Sequence, residues 1–121
     1  MSKKIMSVDD SASMREFVST VLLAAGYEAT TAIDGEDAFK ALMAAQVDLI
    51  ITDLNMPKLD GIGLIKRLRA SSNYKYVPII ILTTASEEKM KQEGRAAGAT
   101  GWIVKPFKPD QLLSTVRRIL G

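Results

Sequence analysis

The chain contains no cysteine and no histidine. Without cysteine there is no disulfide framework and no thiolate metal site. Without histidine, Ser-His and Cys-His catalysis, His-Glu-x-x-His zinc sites and histidine pH switching are all excluded. Charge of one sign is also lacking: 16 basic and 14 acidic residues leave a net charge of +2. Aromatics make up 6% of the chain, and none is interleaved with Lys66, Arg67 and Arg69 or with Arg117-Arg118. These basic groups read as solvated helix faces, so no nucleic acid partner is expected. Long apolar runs are missing too. After Met1-Ser2-Lys3-Lys4 only Ile5, Met6 and Val8 precede Asp9-Asp10, whereas a secretory core needs about 7–15 apolar residues. The strongest run, Ile79 to Leu82, is far too short to span a bilayer. A cytoplasmic protein with no membrane partner is expected.

What is present is ordinary globular composition, 47% hydrophobic and 25% charged over 121 residues. That length is one domain's worth, expected to bury roughly two thirds of its unfolded surface. The reading is a single domain over 1–121, monomeric, with no attached output domain.

Short apolar runs alternate with helical patterns. Strands are predicted at Lys4–Val8, Glu28–Ala32, Leu49–Thr52, Ile79–Leu82 and Trp102–Val104. Ile79-Ile80-Ile81-Leu82 is continuous, as in a strand buried on both faces. Met14, Phe17, Val18, Val21, Leu22 and Ala25 form one helical stripe. Leu112, Leu113, Val116, Ile119 and Leu120 form another, opened by Pro109 and stopped by Gly121. Asp34-Gly35 and Asp60-Gly61 open the second and third helices, and Gly26 and Gly98 stand where helices should end. The fourth helix, about Glu87 to Ala97, has the weakest pattern, with Gly94 inside it and little apolar surface. Ser71–Val77 is the longest loop. Five βα units imply an α/β fold, a doubly wound parallel sheet with helices on both faces and right-handed crossovers. The expected strand order is 2-1-3-4-5, the flavodoxin-like winding, with ligands at the carboxyl ends of the strands.

Reading the residue that ends each strand gives a pattern. The first ends in Asp9-Asp10, the third in Asp53, the fourth in Thr83-Thr84 and the fifth in Lys105-Pro106. In this winding those ends share one rim. Two carboxylates about 4 Å apart repel by about 4 kcal/mol at an effective dielectric of about 20. Three together need a cation or raised pKa values. Lys105 supplies one charge, and a hard divalent ion with oxygen ligands, Mg²⁺, suits the remainder. Such a cleft with a hydroxyl and an ammonium fits phosphoryl transfer, with a carboxylate able to act as nucleophile. Each residue alone has a plainer reading: a cap, a turn residue, a strand end or a surface charge. Four strand ends carrying compatible chemistry is what favours the joint one.

The same residues resemble those of bacterial response-regulator receiver domains, and among them the CheY-type single-domain chemotaxis regulators. The matching segments are Val8-Asp9-Asp10, Asp53-Leu54-Asn55-Met56-Pro57 with Asp60-Gly61, Leu82-Thr83-Thr84, and Trp102-Ile103-Val104-Lys105-Pro106-Phe107. The resemblance runs from the first strand to the last helix. It implies that Asp53 is the phosphoacceptor. It implies that Asp10 and Asp53 bind Mg²⁺, with Asp9 acting mainly through metal-bound water and Asn55 through its backbone carbonyl. It implies that Thr83 and Lys105 bind the phosphoryl oxygens, that the Lys105-Pro106 bond is cis, and that Thr83 and Trp102 form the switch. A CheA-like sensor histidine kinase would be the phosphodonor. The output partner, such as a flagellar motor switch component, would bind the face made by the fourth helix, fifth strand and fifth helix. Lys89, Lys91, Arg95, Trp102, Lys108 and Arg117 are its exposed candidates. On this reading the chain is a phosphoacceptor rather than a turnover enzyme.

The sequence departs from that pattern in places. Ser7 lies in the first strand, and its hydroxyl needs a partner if buried. Thr84 stands where a smaller residue is usual, and Trp102 where Tyr or Phe is. The polar fourth helix bears on the motor role and leaves open a phosphate sink or relay. Two readings from other classes are a Mg²⁺-dependent aspartyl-phosphate hydrolase, which would need a cap, and a flavodoxin-like cofactor carrier, whose phosphate Asp9-Asp10 would repel.

Overall fold

A computed structural model describes residues 2–121; Met1, the first residue of the N-terminal segment read above, lies outside the described residues. Strand and helix alternate as β1 (Lys4–Val8), α1 (Ala12–Ala24), β2 (Glu28–Ala32), α2 (Gly35–Ala44), β3 (Leu49–Thr52), α3 (Gly61–Arg69), β4 (Ile79–Thr83), α4 (Glu88–Ala97), β5 (Gly101–Val104) and α5 (Pro109–Leu120). The strands pair in parallel in the order β2-β1-β3-β4-β5. This is the flavodoxin-like winding that the alternating pattern implied.

Two apolar layers sandwich the sheet, because successive strand residues point to opposite faces. Met6, Val8, Ile50, Ile79 and Ile81 pack with Leu64, Ile65 and Leu68 of α3 and Leu42 of α2. Ile5, Leu49, Ile51, Ile80 and Leu82 pack with Val18 and Leu22 of α1 and Leu112 and Val116 of α5. Ser7 is buried on β1; the fully buried oxygen left without a partner among the described residues is Ser19 Oγ, not Ser7's.

The helix signals act as the residue types require. Asp34 caps α2 by accepting from the Asp37 amide at 2.8 Å, and Asp60 caps α3 by accepting from the Gly63 amide at 2.7 Å. Gly98 ends α4 in the left-handed region at φ 118°, and a Cβ there would also meet the Arg69 side chain at 2.8 Å.

Three boundaries differ from the sequence reading. β4 extends through Thr83, because the Lys105 amide pairs with the Thr83 carbonyl at 2.8 Å. β5 starts at Gly101, opposite Ile80, one residue before Trp102. Glu87 precedes α4 as its cap residue instead of opening it, and makes no side-chain cap bond. The segment 71–77 also holds a core residue that no pattern announced. Tyr74 is fully buried, its hydroxyl 2.8 Å from both the Leu42 and Ala45 carbonyl oxygens. Arg69 gathers this loop and the end of α4, donating to the carbonyls of Tyr74 at 2.7 Å, Val77 at 2.7 Å and Gly98 at 2.7 Å. Among the described residues no helix is long and apolar enough to cross a membrane.

Candidate functional site

The rim at the strand ends is built as the winding demands. Asp9 follows β1, Asp53 follows β3, Thr83 closes β4 and Lys105 follows β5. Asp9, Asp10 and Asp53 each bring one carboxylate oxygen within 4.8 Å of the others. Lys105 Nζ stands between two of them, 2.8 Å from Asp9 Oδ2 and 3.1 Å from Asp53 Oδ2. The Lys105-Pro106 peptide is cis, as the resemblance implied.

Local bonds fix each side chain. Asp9 is buried and has every polar atom engaged. Its amide donates to the Ala32 carbonyl at 3.2 Å. Its Oδ1 accepts from the Ser11 amide at 2.9 Å, and its carbonyl accepts from Arg15 Nη1 at 2.7 Å. Asp53 Oδ1 accepts from the Leu54 amide at 2.7 Å. The turn after Asp53 is close-packed: the Gly61 amide donates to the Leu54 carbonyl at 2.9 Å, and a Cβ at Gly61 would overlap the Asp53 carbonyl oxygen. Asp10 differs from both. It is exposed, and its carboxylate accepts no hydrogen bond among the described residues.

The electrostatics follow. Burial pulls the Lys105 ammonium down, but hydrogen bonds and charge from Asp9 and Asp53 outweigh it, and its pKa is raised overall. Three carboxylates against this one ammonium leave an excess of negative charge. Hard oxygen donors around an acidic excess are the donor set of Mg²⁺. Asp10 offers carboxylate oxygens that no protein donor occupies, whereas both oxygens of Asp9 and both of Asp53 already accept from protein donors and would meet an ion through their remaining lone pairs. The residues present therefore fit the ion.

Thr83 is fully buried and its hydroxyl accepts weakly from the Ala85 amide at 3.4 Å. The Ala85 carbonyl in turn accepts from Trp102 Nε1 at 3.1 Å. Trp102 is half-buried rather than projecting freely, and its ring edge fills the notch of Gly94, where a Cβ would meet it at 2.9 Å. The glycine that weakened the helical pattern of α4 is thus the space for the tryptophan. Asn55 and Thr84 are exposed beside the cleft. Lys89, Arg95, Lys108 and Arg117 are exposed, whereas Lys91, expected among the exposed residues, is half-buried, and Lys91 and Arg95 border a shallow groove with Thr100 and Trp102.

Asp9, Asp10, Asp53 and Lys105 are brought together at this rim, and Thr83 stands at the carboxyl end of β4. Sequence reading missed the Ala85 backbone, which carries no side-chain signal, and Arg15, whose signal is a basic residue in a first helical turn.

Comparison with known proteins agrees with the geometry. Chemotaxis protein CheY4 of Vibrio cholerae superposes with a TM-score of 0.94 at 48% identity, covering 98% of this chain and 99% of that one. Chemotaxis protein CheY1 of Helicobacter pylori is 38% identical over 120 residues, 98% of this chain and 97% of that protein. The probable transcriptional regulator ycf27 of Porphyridium aerugineum is 41% identical over 118 residues, 98% of this chain and 48% of that protein. The chain thus spans about half the length of the curated relatives it matches first. The model of the response regulator receiver domain matches residues 5–117. With that match over most of its length, the chain belongs to the response regulator receiver domain family of two-component signalling.

Proposed function

We propose that the protein is a phosphorylation switch of the chemotaxis type, with Asp53 as its phosphoacceptor. The observation that carries this is the Asp53 carboxylate, held by Leu54 and Lys105 at the mouth of a cleft shared with Asp9 and Asp10. A carboxylate oxygen of Asp53 attacks phosphorus on a kinase phosphohistidine. The new O–P bond forms as the N–P bond breaks, and the electron pair leaves with the imidazole, which is reprotonated from solvent. Asp10, Asp53 and the Asn55 carbonyl would hold Mg²⁺, and Asp9 would add negative charge beside it. When bound, the ion neutralises phosphoryl oxygens. Lys105 neutralises another oxygen, and the Thr83 hydroxyl donates to a third.

That last bond uses the proton of a hydroxyl whose oxygen already accepts from the Ala85 amide, so a shift of Thr83 toward the phosphoryl group strains that long contact. The Ala85 carbonyl accepts from Trp102, so one residue, through its amide on one side and its carbonyl on the other, links the reacting end of β4 to the face of α4, β5 and α5. A partner segment that is acidic or amphipathic suits the basic groups there, and its binding weakens with salt. A tenfold preference for the phosphorylated state needs about 1.4 kcal/mol of differential binding. A CheA-like kinase and a flagellar motor switch component are the partners of this reading. Its support is the likeness to CheY4 and CheY1 over nearly the whole of both chains. The protein accepts one phosphoryl group per cycle and is not a turnover enzyme.

The test is labelling by acetyl phosphate with Mg²⁺. Wild type becomes phosphorylated at residue 53, and Asp53→Asn is unlabelled while remaining folded. Labelling of Asp53→Asn at the wild-type level would falsify the assignment. Capture of a motor component by beryllofluoride-loaded protein supports the chemotaxis role, and labelling with no state-dependent partner indicates a phosphate sink.

A further inference from the structure

The first turn of α1 breaks a local rule. A helix N-terminus carries positive partial charge and favours acids over bases. Yet α1 has no acidic residue in its first turn, and Arg15 occupies it. Arg15 forms no ion pair among the described residues, although three carboxylates lie nearby. Its guanidinium turns instead to one backbone atom, the Asp9 carbonyl, at 2.7 Å. Such conflicts between local preference and structure concentrate at functional sites.

From this geometry we infer that Arg15 is a positioning residue for the cation site, acting through the peptide between Asp9 and Asp10. The inference rests on the Mg²⁺ reading given above. The Asp9 side chain is held by Ser11 and Lys105, so its orientation is secured without Arg15. Asp10 has no such bonds on its carboxylate. What aims Asp10 is the peptide plane that precedes it, and Arg15 fixes the oxygen of that plane. A group that orients a metal ligand without touching the metal commonly changes affinity tenfold or more when removed. The half-buried guanidinium makes this a charge-assisted bond, stronger than one between neutral partners.

Position and charge make opposite forecasts. If Arg15 mattered only as a positive charge near the carboxylates, removing it would strengthen cation binding. If it holds the turn, removing it weakens cation binding.

The experiment is calorimetric titration of the full chain with Mg²⁺ alone, for wild type, Arg15→Met and Arg15→Lys, with the melting temperature of each recorded. The inference expects Arg15→Met to raise the Mg²⁺ Kd about tenfold in a chain that stays folded, with some lowering of the melting temperature from the lost bond, and Arg15→Lys to restore most of the affinity. Acetyl phosphate labelling of Arg15→Met should be slow at low Mg²⁺ and recover at saturating Mg²⁺. Unchanged or tighter binding in Arg15→Met overturns the inference, as does a lysine variant as weak as the methionine one. Should Arg15→Met fail to fold, Arg15→Leu takes its place with the same expected loss, and unchanged or tighter Mg²⁺ binding there overturns the inference as well. A wild-type protein that binds no Mg²⁺ contradicts the metal reading itself, whatever Arg15 does.

Discussion

Helices α3 and α4 lie on the same side of the sheet and meet the structure in opposite ways. α3 is capped by Asp60 and buries Gly61, Leu64, Ile65 and Leu68. α4 has no side-chain cap, and the residue it buries completely is Gly94. The inner surface of α4 is completed by Met90 and Ala97, only partly covered. Its C-terminal end is clasped, since Arg69 donates to the Gly98 carbonyl through both Nε and Nη2. Its N-terminal end follows the connection that holds Ala85 and has no side-chain cap bond. Few buried apolar groups and an uncapped end are the physical marks of a segment that opens at low free energy. The difference assigns two roles to neighbouring helices. α3 fixes the turn that carries Asp53, and α4 is the helix that the proposed function would have register a change there.

Two glycines offer the largest break in that comparison. A Cβ at Gly61 would overlap the Asp53 carbonyl and approach Leu54 Cα at 2.9 Å, both backbone. Gly61→Ala is expected to lower stability by about 3 kcal/mol, since overpacked backbone cannot yield, and to slow labelling of Asp53. A Cβ at Gly94 would meet the Ile81 side-chain end and the Trp102 ring edge, at 2.7 and 2.9 Å, side chain where Gly61 meets backbone. Alanine there gains about 1 kcal/mol of helix propensity against the cost of moving those ends. Gly94→Ala is expected to stay within about 1 kcal/mol of wild type while shifting the emission of the single tryptophan. Equal destabilisation of the two variants in denaturant would erase the distinction between the helices.

The charge lock of the rim gives the next effect. Lys105 holds its proton more tightly in the folded chain than in the unfolded one. Its contribution is therefore present in full below the ordinary lysine value and is lost as pH rises through the raised folded value. The melting temperature should fall in the alkaline range above about pH 10.5, and Lys105→Met should flatten that fall. An identical alkaline profile in the variant would remove Lys105 as its source. The smallest contrast is between the caps. Asp60→Ala should cost about 1 kcal/mol, and Glu87→Ala less than about 0.5 kcal/mol because no bond is lost. Equal losses in thermal melts would mean α4 is held as firmly at its start as α3.

The site was legible in the sequence to a degree that α4 was not, and the reason is geometric. In a parallel doubly wound sheet the residue ending each apolar run must stand at one rim, so Asp9, Asp53, Thr83 and Lys105 could be gathered before any contact was known. The packing of α4 depends on Trp102 filling the notch at Gly94, a match between two elements that no period within either one reveals. Tyr74 escaped for the same reason: it sits in a connecting segment, and its partners Leu42 and Ala45 are some thirty residues away in sequence. Arg15 was visible only as a charge in the wrong place. The strand and helix limits that moved, at Thr83, Gly101 and Glu87, moved because pairing between β4 and β5 and the absence of a cap bond decide them.

Amide hydrogen exchange across α3 and α4, with and without beryllofluoride and Mg²⁺, tests this division of roles most directly. The account predicts that loading Asp53 changes exchange in the β4–α4 connection from Thr84 through the first turns of α4 and at Trp102. It predicts that Leu64 to Leu68 of α3 keep their protection. Exchange that changes in α3 as much as in α4, or in neither while binding of beryllofluoride is confirmed, would contradict it.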